Sequence, residues 1–313
     1  MLFSPRFRSF FGAKLFLAGL VSTLFFSAIQ SPVRAEEVKI KGADLYLNAE
    51  LALGDGAARG DATVLMVHGT LAHNAMETMA GLASVLNERG LNTLSINLSL
   101  GIDDRKGMYD CAVPHRHRHF DALNEIGSWL EWLQAQGVHD VTLFGHSRGG
   151  NQAALYAAER GHALVKNVAL LAPATWDADK AAREYEVRHG APLASMLERA
   201  VAQVAAGNGA EFLAGAGLLY CPGSEVTADS FVSYYTPDPR FDTPGILDRI
   251  PLPVVVIAGS EDTVVDDLPA KIGTGSEQKQ VEFVIVDGAD HFFLDLFAED
   301  VADSIEEIIE ISK

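Results

Sequence analysis

A serine, an aspartate and a histidine that each follow an apolar, β-rich run carry the chemical possibilities of this chain. Ser147 stands in Gly145-His146-Ser147-Arg148-Gly149, after the apolar run Val141 to Phe144 and before the small-residue helical pattern that begins at Asn151. Strand, sharp turn and helix are the context in which G-x-S-x-G becomes a nucleophile elbow. The turn forces the serine to positive φ, and the residues two before and two after it must be small because strand and helix nearly touch. A hydroxyl is a weak nucleophile, so it needs a base and a group that orients the base. His291 follows the run Val281–Asp287, and Asp262 follows Val254–Gly259. All three lie just past the C-terminal ends of predicted strands, which brings them to one edge of a sheet. Glu261 adjoins Asp262 and is its competitor for the acid. Asp290 is expected to tie down its own loop rather than reach His291.

A tetrahedral intermediate needs donors aimed at its oxyanion. The amide of Arg148, next after the serine, is one candidate. The loop His68-Gly69-Thr70-Leu71 is expected to supply the second from the Thr70 amide, with the Leu71 amide as the alternative. The His68 side chain reads as structural. His115, His117 and His119 alternate along Pro114-His-Arg-His-Arg-His-Phe and could present three imidazoles on one face of an extended segment. No carboxylate or thiolate lies between them and the interleaved arginines would repel a cation, so a solvated loop or pocket rim is expected. The chemistry proposed here requires neither metal nor cofactor.

The elements that must hold these residues alternate along the chain. Residues 37–56 read as an edge hairpin ending at Gly54-Asp55-Gly56. Ala62 to His68 is a continuous apolar strand of the kind buried on both faces of a parallel sheet. A helix is predicted from about Asn74 to Arg89, a strand from Leu91 to Leu100, and an amphipathic helix through Leu123, Ile126, Leu130 and Leu133. After the elbow come a strand at Asn167–Ala172, the two strands before Asp262 and His291, and a last helix through Phe297, Val301, Ile305 and Ile309. Strands alternating with helices predict an α/β fold, a mostly parallel sheet with helices on both faces. Between 175 and 249 the alternation stops, and a mainly helical lid over the strand ends is expected, where open sheets bind ligands. The core is thus divided into 36–174 and 250–313.

The chain resembles the α/β-hydrolase superfamily, of the esterase, lipase and lysophospholipase kind. The resemblance is carried by His68-Gly69, the elbow at Gly145–Gly149, Asp262 and His291, and covers roughly 60–174 and 250–312. The chain order Ser, Asp, His is that of the superfamily's triad. It implies a cofactor-free sheet with a variable lid at 175–249. Dehalogenase-type members, which use an aspartate nucleophile, are set aside by Ser147.

Composition bounds the rest. Of 313 residues 48% are hydrophobic, enough for a sizeable core. Residues 1–35 read as a signal peptide: basic Arg6, Arg8 and Lys14, an uncharged run from Leu15 to Ile29, and Val33-Arg34-Ala35 as the cleavage site. The apolar run is shorter than the ~20 residues a membrane span needs. Its removal takes four basic residues and no acidic one, moving the net charge from −18 to −22, with 20 basic against 42 acidic residues. That balance repels nucleic acid and anionic lipid surfaces. Cys111 and Cys221 are either a disulfide or two buried thiols, and sequence leaves both open. The expectation is an exported serine hydrolase, periplasmic or extracellular, cleaving small-molecule carboxylic esters with an acyl or other hydrophobic part. Thioester and peptide hydrolysis use the same triad, and a non-catalytic binding protein could share the fold.

Overall fold

The computed structural model describes residues 35–272 and 280–312; most of the expected signal peptide lies outside them. The first two strands, β1 (Glu36–Lys41) and β2 (Tyr46–Ala52), form the antiparallel edge hairpin. Strands β3 (Thr63–Val67), β4 (Asn92–Asn97), β5 (Val141–His146), β6 (Val165–Leu171), β7 (Val254–Gly259) and β8 (Val281–Val286) follow. They assemble into one sheet of order β1-β2-β4-β3-β5-β6-β7-β8. Every pairing from β4 to β8 is parallel. The predominantly apolar runs have the predicted consequence: β3, β5 and β7 are buried along their whole length.

Helices α1 (Glu77–Glu88), α2 (Asp121–Ala135) and α3 (Arg148–Glu159) fill the crossovers. The main core joins both faces of the sheet to these helices, with Trp129, Phe144 and Leu65 among its largest fully buried side chains. Residues 175–249 contribute no strand to the sheet. They hold α4 (Ala178–His189), α5 (Leu193–Ala205), α6 (Ala228–Tyr235) and two 3-10 turns, Pro239–Phe241 and Thr243–Arg249. The chain closes through α7 (Leu268–Ile272) and α8 (Phe297–Ile311).

The helices of 175–249 gather around a second apolar cluster that includes Tyr185, Met196, Leu218 and Phe231. Leu71 and Tyr109, from the first half of the chain, complete that cluster. A disulfide between Cys111 and Cys221, Cα atoms 5.3 Å apart, ties the loop before α2 to the same helices. Of the two alternatives for these cysteines, the structure takes the bridge. Residues 101–119 are therefore part of the layer above the strand ends, a role their polar composition did not disclose.

Candidate active site

Ser147 ends β5 and opens α3 at φ 57° and ψ −123°. That left-handed conformation is disfavoured for a residue with a Cβ and persists where surrounding structure overdetermines it. The two glycines of the elbow show what does so. A Cβ on Gly145 would overlap the Gly149 carbonyl, and a Cβ on Gly149 would overlap the carbonyls of Val67 and His68. Strand, elbow and helix thus meet backbone to backbone. Across the gap, a Cβ on Gly69 would stand 3.2 Å from the Ser147 Cβ, so the loop after β3 rests directly on the serine.

The residues expected to act together do meet. The Ser147 hydroxyl lies 3.0 Å from His291 Nε2, and His291 Nδ1 lies 2.8 Å from Asp262 Oδ2. Asp262 Oδ1 accepts from the Val264 and Val265 amides at 2.7 and 3.0 Å. Burial opposes charge on this carboxylate, but the bonds from His291 and the two amides outweigh it and hold the group below its ordinary range. Glu261 is exposed and its side chain has no part in this chain of bonds. Asp290 is exposed too, and accepts from the Phe292 amide at 2.8 Å, which shapes the turn carrying His291.

His146 also shapes that turn. Its buried Nε2 donates to the His291 carbonyl at 2.9 Å, and burial lowers its pKa to about 4, so it stays neutral. The motif concealed this role, because the second position of G-x-S-x-G reads as free.

The loop after β3 is fixed from below. His68 Nδ1 donates to the Gly69 carbonyl at 2.9 Å, and its Nε2 accepts from the Leu98 amide at 3.1 Å. Burial and the nearby Arg105 charge lower its pKa to about 3 and keep it neutral; these bonds are those of the structural side chain anticipated. Arg105, almost fully buried, donates to the Leu98 carbonyl at 2.7 Å, to Asn97 Oδ1 at 2.7 Å and to the Ala72 carbonyl at 2.9 Å. Nothing in the polar run around Arg105 marks it out as a core residue. Thr70 lines the cavity over Ser147, whereas Leu71, at φ 55°, turns its side chain into the second apolar cluster. The Arg148 amide sits at the first position of α3, where it has no carbonyl partner within the helix.

The expectation of solvated histidines at 115, 117 and 119 is overturned. Their exposures are 0, 2 and 1%. His115 Nδ1 and His117 Nε2 lie 3.0 Å apart, and His117 Nδ1 lies 2.8 Å from the Tyr234 hydroxyl. His119 Nε2 donates to Asn151 Oδ1 at 3.0 Å. Alternation does put the three rings on one side, but that side faces α6 and α3, because the disulfide and the bridge His115–Val226 draw the segment against residues 212–235. Among the described residues no cluster with metal-binding geometry occurs.

A cavity of about 160 Å³ opens above the serine. Ser147, Thr70 and Arg148 form its floor, and Trp176, Tyr185 and Tyr234 are among its walls, the last three from the 175–249 segment. Sequence reasoning missed these aromatic walls, since spacing does not tell a residue of 175–249 that faces the cavity from one that packs.

Comparison with known proteins agrees with this architecture. The solved structures it resembles include Est1E from Butyrivibrio proteoclasticus with bound ferulic acid (TM-score 0.62, 20% identity, covering 88% of this chain and 98% of that one). A dienelactone hydrolase from Anabaena variabilis gives a TM-score of 0.53 at 19% identity, covering 89% of this chain and 97% of that one. An esterase of Pyrococcus furiosus gives 0.57 at 15% identity, covering 89% of this chain and 91% of that one. At such identities the likeness is one of fold. Among curated proteins, none matches this sequence. The model of the alpha/beta hydrolase family matches residues 64–304, the stretch that carries the elbow, the acid and the histidine, and the chain belongs to that family.

Proposed function

We propose that this protein is an exported serine hydrolase that cleaves carboxylic esters through an acyl-enzyme. The observation that carries the reading is the continuous relay from Ser147 through His291 to Asp262, with the serine on a strained elbow under a cavity. In this mechanism His291 Nε2 takes the hydroxyl proton as Ser147 Oγ attacks the ester carbonyl. Asp262 keeps the proton on Nδ1 and stabilises the imidazolium. The amides of Arg148 and Thr70 receive the oxyanion; Thr70 is preferred to Leu71 because it, and not Leu71, borders the cavity. His291 then protonates the leaving alcohol, and water attacks the acyl-enzyme by the reverse sequence. No cofactor enters these steps. The aromatic walls suit an ester with an apolar body. Family membership and the fold likeness to esterases support hydrolytic chemistry, and the segment at 175–249 serves as the lid.

Export is supported by the composition of residues 1–35 and by the Cys111–Cys221 bridge, since disulfides persist in oxidising compartments. Among the described residues no helix is long and apolar enough to cross a membrane. The test is labelling of the protein from Glu36 onward with a fluorophosphonate, wild type beside Ser147→Ala, with hydrolysis of short p-nitrophenyl esters in parallel. Labelling and turnover confined to the wild type are expected. A folded wild type that neither labels nor turns over would leave a binding protein on this fold.

A further inference from the structure

Arg148 follows the nucleophile, yet its side chain is not part of the relay. It lines the floor of the cavity beside Ser147 and Thr70 and is only half-buried. Among the described residues it forms no ion pair: no carboxylate lies within 4.0 Å of the guanidinium. Its neighbours are neutral. Nε donates to the Thr70 hydroxyl at 3.1 Å, Nη1 faces His119 Nδ1 at 3.4 Å, and the guanidinium carbon lies 5.5 Å from the centre of the Tyr234 ring.

These neighbours are themselves held. His119 donates through Nε2 to Asn151 Oδ1, so its Nδ1 is free to accept from Arg148. Asn151 is oriented by bonds from its Nδ2 to the Arg240 carbonyl and the Thr243 hydroxyl, at 2.9 and 3.1 Å. Burial, reinforced by the Arg148 charge, lowers the His119 pKa to about 3 and keeps it an acceptor. The Tyr234 hydroxyl is fixed by His117. Buried residues from three separate segments thus hold one cation in place without neutralising it.

The other charges of the cavity behave differently. Lys180 is matched by Asp266 at 2.8 Å and Asp267 at 3.8 Å. The Asp177 side chain caps α4 by accepting from the Lys180 amide. Glu184 and Arg188 are exposed, with Arg188 over the Tyr220 ring. Among the described residues Arg188 is unpaired as well, but it is exposed and donates to the Leu219 carbonyl at 3.4 Å; Arg148 is the unmatched cation held beside Ser147. A guanidinium with free donors in a partly desolvated site selects a planar two-oxygen anion, which it can bind with paired hydrogen bonds.

We infer that Arg148 is a specificity-determining residue that binds a carboxylate of the substrate, so that the preferred substrate is an ester that also bears a free carboxylate. The inference rests on the serine-hydrolase reading and names the substrate class of that same site. The aromatic walls hold the apolar body between the ester carbonyl at Ser147 and the carboxylate at Arg148.

Two matched pairs of esters test it: monoethyl adipate against ethyl hexanoate, with the charge on the acyl side, and 4-acetoxybenzoate against p-tolyl acetate, with the charge on the alcohol side. The wild type is expected to favour the charged member of at least one pair by about tenfold or more in kcat/KM. Arg148→Met should reduce that preference roughly 10- to 100-fold, the range for a lost charge-assisted bond, and Arg148→Lys should restore part of it. The uncharged ester is the reference in every variant, so any disturbance of the Arg148 amide affects both members alike. Equal or better turnover of both uncharged esters by the wild type overturns the inference, as does a preference that survives in Arg148→Met. If folded wild type cleaves none of the four and also fails to label with the fluorophosphonate, the hydrolase reading fails; with or without labelling, calorimetric titration with adipate and 4-hydroxybenzoate then decides the anion site. Saturable binding that is lost in Arg148→Met then supports it, and no binding overturns it.

Discussion

The relay makes different demands on its three members. Ser147→Ala removes the proposed nucleophile, and a fall of about 10⁶-fold in ester turnover is expected, with the melting curve little changed. Asp262→Asn retains the shape but favours the wrong tautomer of His291; a fall of about 10⁴-fold in kcat is expected. Glu261→Gln in the same assay should stay within about twofold, because the exposed Glu261 side chain does not touch the histidine. A loss at Glu261 comparable to that at Asp262 would reassign the acid. The buried imidazoles give a separate prediction, on stability. His68, His117 and His119 are lowered to about 3, and His115 and His146 to about 4, each first by burial. Between those values and the ordinary histidine value near 6.5, the unfolded chain binds protons that the folded chain refuses. Stability is therefore whole above about pH 6.5 and falls on acidification, by up to about 1.4 kcal/mol per pH unit for each such histidine. Urea unfolding at pH 7, 6 and 5 checks this, and a flat profile would contradict the burial of neutral rings.

Elements decide whether the serine can be presented at all. The β5–α3 turn needs Gly149 because β3 runs into the same space; Gly149→Ala drives a methyl into the Val67 and His68 carbonyls. A loss of about 1–3 kcal/mol in unfolding free energy is expected, with activity reduced further than stability. Gly81→Ala, on α1 where an added Cβ meets nothing within 4 Å, is the control and should be neutral or slightly stabilising. The contrast is legible in the sequence only for the elbow, where the motif itself dictates small residues. The strands were legible as well, since β3, β5 and β7 are predominantly apolar runs without the alternation of a one-sided strand, which a doubly covered sheet buries. The histidine segment was not legible. Its alternation of His and Arg matches a solvated strand as well as a buried one, and what buries it is contact with α3 and α6, far away in sequence.

At the scale of the whole molecule, the layer over the strand ends is built from two segments, 101–119 and 175–249, that one covalent link ties together. The Cys111–Cys221 bridge spans 110 residues of chain and includes the elbow, α4 and α5 in its loop. Closing so long a loop restricts the unfolded chain strongly, and replacing both cysteines by serine should lower stability by about 2–5 kcal/mol, measurable as a fall in Tm. Because Leu71 and Tyr109 belong to the same apolar cluster as α4, α5 and α6, that loss should also loosen the wall of the site and raise KM for bulky esters. By itself the sequence determined the alternation of strands and helices, the elbow, and the order and strand-end placement of Ser147, Asp262 and His291. These follow from local patterns: apolar periodicity, small residues at a tight turn, and positions just beyond strands. Only the tertiary structure decided that the cysteines are bonded, that Arg105 and three histidines are core residues, and that Arg148 stands unmatched under aromatic walls. Each of those depends on which distant surfaces meet, and contact between segments far apart in the chain leaves no periodic trace in it.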